Sequence, residues 1–470
     1  MLREPLILWF RRDLRLGDHP MLAEAVATGR PLIPVFILDP ETEAMGAAAK
    51  QRLEMALAAF GRALEAAGSR LILRRGPALT VLERLVAETG AAGVMWTRAY
   101  DAPSRARDQA VKAALKARGL IGESHPGFVL HEPWTVETGQ GGPYRVFTPY
   151  WRTVRALPVA AELSAPTRLA APEVWPASEA LSGWQMARAM RRGAAVLAPW
   201  QSPGEAAALD RLAGFAETRM AAYGARRDFL AEEATSGLSE HLTYGEISPR
   251  TLWHRGRRAM VEGNPGAETF LKELVWREFA WHLIYHYPDL GQQNWRRTWD
   301  AFPWRGDNPD AERWRRGMTG EPVVDAAMRE MFVTGRMHNR ARMIAASYLT
   351  KHLLTHWRVG LDWFAECLTD WDAAANAMGW QWVAGSGPDA SPYFRIFNPA
   401  SQAGKFDPEA RYRRRWVAEM SRAPGAEALS YFDAVPRAWQ LDPAAPYPMP
   451  LIDLVAGRAR ALEALKQGNP

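Results

Sequence analysis

Short apolar runs alternate with longer, helix-length stretches through residues 1–131. The runs lie at Leu6–Phe10, Leu32–Leu38, 71–73 and 94–96, with Ala/Leu/Glu/Arg-rich segments at 47–67 and 105–117 between them. This alternation of strands with helices is typical of a doubly wound parallel sheet. The segment RRDLRLGDHP follows the first run in place of G-x-G-x-x-G, so the glycine turn that cradles phosphates in dinucleotide folds is missing. The pattern predicts an N-terminal α/β domain over residues 1–131.

The pattern changes twice further along the chain. Residues 132–204 are rich in Pro and Ala and show little periodicity, which indicates a long connector with a few short helices. From residue 205 onward the apolar positions follow helical spacing. Two groups stand at i, i+3, i+4 and i+7: Val324, Ala327, Met328 and Met331, and Ala341, Ile344, Ala345 and Tyr348. Segment 270–283 is apolar nearly all round and is expected to be a central helix, so we predict an all-α domain over residues 205–470.

The bulk composition is that of a globular protein with two domains. The chain has 470 residues, more than one core usually serves, and 48% of them are hydrophobic and 23% charged. No apolar run approaches the roughly 18 residues of a membrane span, and the N-terminus lacks the pattern of a signal peptide. Cys367 is the single cysteine, which rules out an internal disulfide and favours a cytoplasmic location.

Charge and tryptophan content narrow the chemistry. The net charge of +6 and the isoelectric point near 9.4 are compatible with a polyanionic partner. The 21 Trp residues outnumber both the 16 Phe and the 12 Tyr. So many indoles indicate either large apolar packing or a role in ring stacking and electron transfer. The sequence contains no H-E-x-x-H, C-x-x-C, G-x-S-x-G or Walker A pattern, so we expect no metal site.

Residues 235–239, TSGLS, place three hydroxyl groups and a glycine just before a helical pattern. Ser and Thr are favoured at helix N-termini, so a capping role is one interpretation, and Thr243 with Glu246 fits a capping box. A diphosphate site is the other interpretation, because free N–H groups and the helix dipole both attract anions.

Glu273 and Arg277 stand four residues apart with the acid first, a spacing that forms ion pairs on helix surfaces. The surrounding segment is too apolar for a surface turn. A carboxylate in such a setting is hydrogen-bonded or has a raised pKa. Glu273 can therefore be part of a surface ion pair or of a binding site.

Residues 369–402 combine acids, Asn, Trp, Arg and Gln with small residues. Asp370, Asp372 and Asn376 interrupt an Ala-rich helix pattern, so a large polar ligand is expected to meet this backbone closely. The motif D-x-D-x-x-x-N-x-x-G-W-Q-W is followed by P-Y-F-R-I-F-N-P, and WFRRDLRLGDHPML and PVFILDP stand near the N-terminus. Over essentially the whole chain these motifs resemble the photolyase/cryptochrome family, nearest to its class I members that repair cyclobutane pyrimidine dimers.

The resemblance implies a Rossmann-like α/β antenna domain, the connector, and a helical domain that binds FAD. It implies light-dependent repair of UV-damaged DNA, in which an electron from photoexcited, reduced anionic FAD splits the dimer and then returns. The alternative is a cryptochrome-type blue-light receptor without repair activity. Asn376 stands where signalling cryptochromes commonly have Asp or Cys, and Asn339 where enzymes that repair (6-4) photoproducts usually have His. Asn376 therefore favours repair over signalling, and Asn339 favours cyclobutane dimers as the substrate.

The resemblance also assigns residues to each role. Contacts to FAD are expected from Tyr223, Thr235, Ser236, Gly237, Leu238, Ser239, Arg277, Arg342, Asp370, Trp371, Asp372 and Asn376. The lesion and its DNA are expected to meet Arg227, Glu273, Trp276, Asn339, Arg340, Met343, Trp382 and Gln402. In catalysis, Glu273 would hydrogen-bond the dimer and Asn376 would face flavin N5. Trp304, Trp357 and Trp380 would relay electrons from the surface to the flavin.

Family members often carry a second, light-harvesting chromophore. Pro103 and Ser104 stand where folate-binding members have an Asn-Glu pair, which makes folate the weaker choice beside a deazaflavin, a second flavin or no antenna. Ala377, Met378 and Gly379 replace the Asn-Gly-Gly that often follows the flavin-facing Asn. The expected partner is UV-damaged DNA, and the expected state is a monomer without metal or membrane contact.

Overall fold

A computed structural model describes residues 3–190, 194–389 and 394–468 of the chain. Its N-terminal part contains five strands: β1 Leu6–Phe10, β2 Leu32–Leu38, β3 Ile72–Arg75, β4 Gly93–Thr97 and β5 Ile121–His125. They form one parallel sheet in the order β3-β2-β1-β4-β5. On either side of β1, Leu6 stands opposite Leu32 and Gly93.

Helices cover both faces of this sheet. Along β1, Leu6, Leu8 and Phe10 enter one apolar core and Ile7 and Trp9 enter another, because successive side chains of a strand point to opposite faces. The helices are α1 Pro20–Ala27, α2 Pro40–Glu43, α3 Ala47–Ala66, α4 Ala78–Thr89 and α5 Ala102–Ala117. The predicted doubly wound parallel sheet is confirmed.

The predicted strands differ from the observed ones mainly at the edge of the sheet. β1 and β2 have the predicted bounds, and β3 and β4 overlap the predicted runs with shifted ends. β5 was not predicted. Its sequence IGESH has no apolar run, since this edge strand is only half-buried.

The segment between the two large parts of the chain packs against both of them. Its α-helices are α6 Phe147–Val154, α7 Leu181–Trp184 and α8 Ala194–Leu197. Leu169 and Trp184 join a core of the α/β part, whereas Phe147 and Tyr150 join a core of the helical part. The prediction of a few short helices is correct.

The rest of the chain is helical. Its α-helices are α9 Glu205–Thr218, α10 Tyr223–Arg226, α11 Ser239–Thr243, α12 Pro249–Val261, α13 Ala267–His286, α14 Pro309–Arg315, α15 Pro322–Thr334, α16 Asn339–Ser347, α17 Trp357–Cys367, α18 Ala373–Ala384, α19 Pro399–Phe406, α20 Arg411–Trp416, α21 Ala426–Ala434 and α22 Leu454–Gly468. A π-helical turn, Tyr348–His352, follows α16. In the described part of the chain, no helix is long and apolar enough to cross a membrane.

Two helices are buried over most of their surface. Buried residues occur around nearly the whole circumference of α13, as the sequence predicts. In α15 the predicted face is buried, but Asp325 and Arg329 on other faces are also fully buried. The amphipathic prediction is therefore too narrow for α15, because helices pack around it on several sides and its polar residues find internal partners.

A buried ion pair joins the α/β part to the helical part. The Arg52 guanidinium on α3 donates to the two Glu246 carboxylate oxygens at 3.0 and 2.6 Å, and both side chains are almost fully buried. Glu366 on α17 accepts from the N–H of Ala47 at 3.1 Å, at the start of α3. At the neighbouring Gly46, a Cβ atom would lie 1.9 Å from the carbonyl oxygen of Ala365. The two parts are therefore in close backbone contact.

Candidate functional site

A cavity of about 500 Å³ opens among α13, α16, α17 and α18. Cationic, acidic and indole side chains line it together, a mixture suited to a large ligand with aromatic and charged parts. The predicted site residues in its lining are Arg227, Ser239, Glu273, Trp276, Arg277, Asn339, Arg340, Arg342, Met343, Asp370, Trp371, Asp372, Asn376, Trp380 and Trp382. These residues are widely separated in sequence, and the helix packing brings them to one place.

Asp372 caps α18 and ties it to α13. Its carboxylate accepts from the N–H of Ala375 at 2.9 Å and from the indole N–H of Trp281 at 3.1 Å. Asp is favoured at this position because it satisfies an N–H group that lacks a partner within the helix. Asn376 donates its amide N–H to the carbonyl oxygen of Leu361 at 3.1 Å. Both polar side chains are thus held in fixed orientations at the cavity.

Asp370 and Arg342 form an ion pair in the cavity wall. The Nη2 atom of Arg342 lies 2.8 and 3.0 Å from the two Asp370 carboxylate oxygens. Its Nε donates to the carbonyl oxygen of Met337 at 2.9 Å. Thr243 donates its hydroxyl to the backbone oxygen of Asp370 at 3.2 Å. The guanidinium is therefore fixed by two acceptors on different segments.

Glu273 pairs with Arg227 and not with Arg277. Arg227 Nη1 contacts Glu273 Oε1, while Arg277 Nη1 lies 3.0 Å from Glu278 Oε1 and donates to the Phe128 carbonyl oxygen at 3.0 Å. Of the two interpretations of Glu273, the helix-surface pair with Arg277 is therefore wrong, because Arg227, which follows α10, and the segment before α6 compete for both side chains. Burial raises the pKa of the Glu278 carboxyl to about 7, although Arg277 acts to lower it.

The start of α16 brings Asn339 and Arg340 to the cavity. His338 caps this helix by accepting from the N–H of Arg340 at 3.1 Å. The Arg340 guanidinium donates to Asp228 at 2.5 Å and lies 4.6 Å from the ring centroid of Phe406. Its charge is therefore compensated within the protein.

Segment 235–239 reaches the cavity at one residue. Ser239 is in the lining, whereas Thr235, Ser236, Gly237 and Leu238 are outside it. Their contacts with FAD stay a prediction. The capping interpretation is wrong, since the N-cap of α11 is Leu238, without a side-chain cap hydrogen bond. Thr243 and Glu246 form no capping box, because Glu246 binds Arg52 and Ser248 caps α12.

The three predicted relay tryptophans lie in one apolar core. Trp380 and Trp357 are buried, and Trp304 packs on the same cluster. The ring centroid of His356 lies 5.3 Å from those of both Trp304 and Trp357. Trp357 donates its indole N–H to Asn294 at 2.8 Å. Trp380 is the member of the set that lines the cavity.

Trp314 was not predicted as a site residue, yet its ring centroid lies 6.1 Å from that of Trp380. Trp314 is fully buried on α14 and donates to the carbonyl oxygen of Ala345 at 3.0 Å. No sequence motif marks this residue, since packing alone brings α14 to Trp380. Tyr223 and Gln402, both predicted contacts, lie outside the cavity lining. Pro392 and Tyr393 of the P-Y-F-R-I-F-N-P motif lie outside the described residues.

A second cavity of about 500 Å³ lies where β1, β2 and β4 end, against the helical part. Arg12, Thr97 and Tyr100 line it from the α/β side, and it shares Trp371 and Asn376 with the first cavity. The carboxyl ends of strands in open parallel sheets are common ligand sites. That rule was the signal that could have located this cavity, since the glycine-rich fingerprint is missing.

Potential metal ligands are dispersed. Among residues 3–190, 194–389 and 394–468, no group of three or more His, Cys, Asp or Glu could hold a metal ion.

Fold and cavity together define a protein with a parallel α/β part and a helical cofactor-binding part. A DNA photolyase family model matches residues 6–172, and an FAD-binding domain of DNA photolyase matches residues 270–467. Deoxyribodipyrimidine photo-lyase of Agrobacterium fabrum is 45% identical over 98% of this chain and 97% of its own length. Cryptochrome-2 of Arabidopsis thaliana is 33% identical over 98% of this chain and 78% of its own length. The chain therefore belongs to the photolyase/cryptochrome family.

Two solved structures share the whole fold. The crystal structure of a bacterial class III photolyase from Agrobacterium tumefaciens has a TM-score of 0.91 at 44% identity, covering 100% of this chain and 98% of the other. An archaeal photolyase from Sulfolobus tokodaii with two FAD molecules has a TM-score of 0.82 at 28% identity, covering 98% and 99%. The expected combination of an α/β domain with a helical FAD-binding domain is confirmed.

Proposed function

We propose that the protein is a deoxyribodipyrimidine photolyase that splits cyclobutane pyrimidine dimers in DNA under light. The observation that carries this proposal is a single cavity lined by the acid Glu273, the indoles of Trp276 and Trp382, and the fixed amide of Asn376. The extent of similarity to proteins named photolyases supports it. The sequence resemblance pointed to class I, whereas the relative with 44% identity is titled class III, so we propose class III as the subclass.

FAD suits the donor groups of the cavity. Arg277 and Arg342 are each paired with an acid, Glu278 and Asp370, and guanidinium groups of this kind can also bind phosphate oxygens. The indole N–H of Trp371 is buried without a hydrogen-bond partner among the described residues, and such a donor is costly unless a ligand accepts from it. Asn376 is neutral and tied to Leu361, so it offers the flavin no acidic proton and favours the anionic reduced form. When bound and reduced, FAD supplies the electron for dimer splitting.

The lesion side of the cavity combines an acid with two aromatic walls. Arg227 contacts the Glu273 carboxylate and orients it, and the carboxylate accepts a hydrogen bond from a pyrimidine edge. Trp276 and Trp382 stack on a dimer that has left the duplex, which costs less for a distorted base pair than for an intact one. Opening of the C5–C5 and C6–C6 bonds and return of the electron leave two intact pyrimidines.

DNA binding is proposed on the face around this cavity. Arg227 and Arg340 lie at this cavity and are already paired with Glu273 and Asp228, so phosphate contacts would fall to other cationic groups of this face. Affinity for DNA should therefore fall as salt rises.

We further propose that the second cavity holds a light-harvesting chromophore. Arg12 has its guanidinium 5.6 Å from the Trp371 ring centroid, and the shared residues Trp371 and Asn376 bring the two cavities into contact. A planar ring system with an acidic group suits this lining. Deazaflavin, flavin and folate all have that chemistry, and chromatography of the chromophores released from purified protein distinguishes them.

We also propose domain boundaries at 131/132 and 204/205, a monomeric state and a cytoplasmic location. Size-exclusion chromatography with light scattering tests the monomer, and limited proteolysis tests the boundaries.

The function is tested by identifying the bound flavin and by measuring dark binding to a thymine-dimer oligonucleotide against its undamaged counterpart. A photolyase holds FAD and prefers the dimer. The cryptochrome alternative, supported by the similarity to cryptochrome-2, predicts bound FAD without that preference. Protein without flavin would contradict both.

A further inference from the structure

A phenylalanine from the connecting segment covers one face of Trp276. The ring centroids of Phe147 and Trp276 are 3.6 Å apart and their planes differ by 7°. Aromatic pairs usually prefer offset or edge-on contacts with larger separations, so this close parallel stack must be held by its surroundings. Phe279 lies 5.9 Å from both rings at steep angles. Trp276 is therefore fixed on one face and leaves the other face to the cavity.

A second indole of the cavity lining, that of Trp382, is held by Asp389. Trp382 donates its indole N–H to the backbone oxygen of Asp389 at 3.1 Å. Asp389 has φ of +52°, in the left-handed region that residues other than Gly rarely adopt. Backbone strain of this kind persists only where the surrounding structure enforces it. The carbonyl group is thereby turned towards Trp382.

Phe147 and Asp389 are themselves neighbours. Burial raises the pKa of the Asp389 carboxyl, and the backbone N–H of Phe147 acts against that rise. The Phe147 ring thus contacts Trp276, and the Asp389 backbone contacts Trp382. Both indoles line the cavity, and the described lining includes neither Phe147 nor Asp389.

We propose that Phe147 and Asp389 are positioning residues, which set the separation and orientation of Trp276 and Trp382 and so determine selectivity for a pyrimidine dimer. This inference rests on the proposed function, in which the two indoles bind the lesion. A pair of rings already held in place loses less conformational freedom on binding than two mobile rings do. The selectivity of the site therefore depends on a segment that precedes the helical part in sequence.

Two pairs of variants test the proposal. Phe147→Leu removes the stacked ring and Phe147→Tyr keeps it. Asp389→Gly removes the carboxylate, and Gly adopts the left-handed backbone conformation of this position readily. Asp389→Asn keeps a side-chain oxygen that can accept a hydrogen bond, and Asn also tolerates this backbone conformation. Each is measured in the dark for its dissociation constants with a thymine-dimer oligonucleotide and with the undamaged strand. Flavin content, thermal midpoint and repair yield at saturating substrate are measured alongside.

Phe147→Leu and Asp389→Gly should lower the dimer preference by up to roughly tenfold, while the repair yield at saturation stays within about twofold. Phe147→Tyr and Asp389→Asn should retain it. In a Trp276→Ala background, Phe147→Leu should have no further effect on the preference, because Phe147 acts through that indole.

The proposal is overturned if Phe147→Leu keeps the wild-type preference. It is also overturned if the loss of dimer preference only follows a fall in flavin content or thermal midpoint. The same holds if Phe147→Leu causes the full loss in the Trp276→Ala background. If the wild-type protein itself shows neither dimer preference nor repair, the proposed function fails instead, so the two failures are distinguishable.

Discussion

Gly360 and Trp380 approach so closely that a methyl group on Gly360 would lie 2.0 Å from Cη2 of the indole ring. The ring that lines the cavity thus rests directly on the backbone of α17. A side chain at residue 360 and the observed position of Trp380 are incompatible.

Gly360→Ala should therefore displace Trp380 and destabilise the protein. Overpacking of a core costs about 1–3 kcal/mol, offset in part by the better helix propensity of Ala, roughly 1 kcal/mol. Thermal unfolding with flavin content measures the effect. Gly214→Ala is the matched control, because that helical glycine has open space around its Cβ position and should lose no stability. Equal thermal midpoints for Gly360→Ala and Gly214→Ala would contradict the close approach of Gly360 to Trp380.

Glu273→Gln should lower the repair yield per absorbed photon while changing DNA affinity little. The amide keeps the shape but loses the negative charge, and a hydrogen bond to a charged group is worth about 1.5–3 kcal/mol. A decrease of roughly tenfold or more is expected. Yields are compared at saturating dimer. An unchanged yield would remove Glu273 from the mechanism.

Trp380→Phe should slow the light-driven reduction of oxidised FAD and spare repair by protein reduced beforehand. Trp380 lines the cavity, whereas Trp357 and Trp304 lie outside the lining. Trp314, at 6.1 Å, offers a second neighbour, so Trp357→Phe should have a smaller effect than Trp380→Phe. Photoreduction of both variants is followed by the loss of oxidised-flavin absorbance under blue light. Normal photoreduction in Trp380→Phe would refute the relay assignment.

Lys351→Met should raise stability at neutral pH. Lys351 is fully buried and donates to the carbonyl oxygen of Ala384, and burial holds its pKa well below the ordinary value near 10.5. The unfolded chain binds this proton more tightly than the folded chain does. The penalty is therefore largest below the folded pKa and disappears as pH rises through the unfolded pKa. A gain of roughly 1–4 kcal/mol is expected.

The gain should shrink between pH 7 and pH 10, as measured by denaturant unfolding. The exposed Lys116→Met is the control and should show neither the gain nor the pH dependence. A gain that is independent of pH would mean that packing, and not the buried amine, accounts for it.

Glu246→Gln should destabilise the protein by about 3–5 kcal/mol, because Arg52 is left buried without its counter-charge. The Arg52 and His241 partners lower the folded pKa of Glu246 against the effect of burial. The stabilisation is therefore complete above the ordinary pKa of a carboxyl group and is lost as pH falls through the lowered pKa of the folded state. Calorimetry at neutral and acidic pH should show the difference narrowing in acid. The half-exposed pair of Arg74 and Glu88 provides the control, Glu88→Gln, with a change below about 1 kcal/mol.

Sequence patterns predicted what depends on local periodicity or on motifs. The buried strands β1 and β2 were predictable because a strand covered on both faces needs a continuous apolar run. β5 was not, since an edge strand needs no such run. The motif residues Asp370, Asp372 and Asn376 line one cavity together, and their contacts with FAD stay a prediction.

Partner choice between distant segments could not be predicted. The spacing of Glu273 and Arg277 suggested a pair, yet Arg227 from another helix takes the acid. Nothing in the sequence near Phe147 indicates that its ring stacks on Trp276, or that Trp314 lies beside Trp380. Such contacts follow from the packing of whole helices, which a local pattern does not determine.

The most direct test of the central claim is repair of an oligonucleotide with a single thymine dimer by the purified, reduced protein in blue light and in darkness. Recovery of thymine absorbance is followed, and the product is checked for intact thymines. The account predicts recovery in light and none in darkness. Bound, reduced FAD with no recovery in light would contradict it and leave the blue-light receptor as the function.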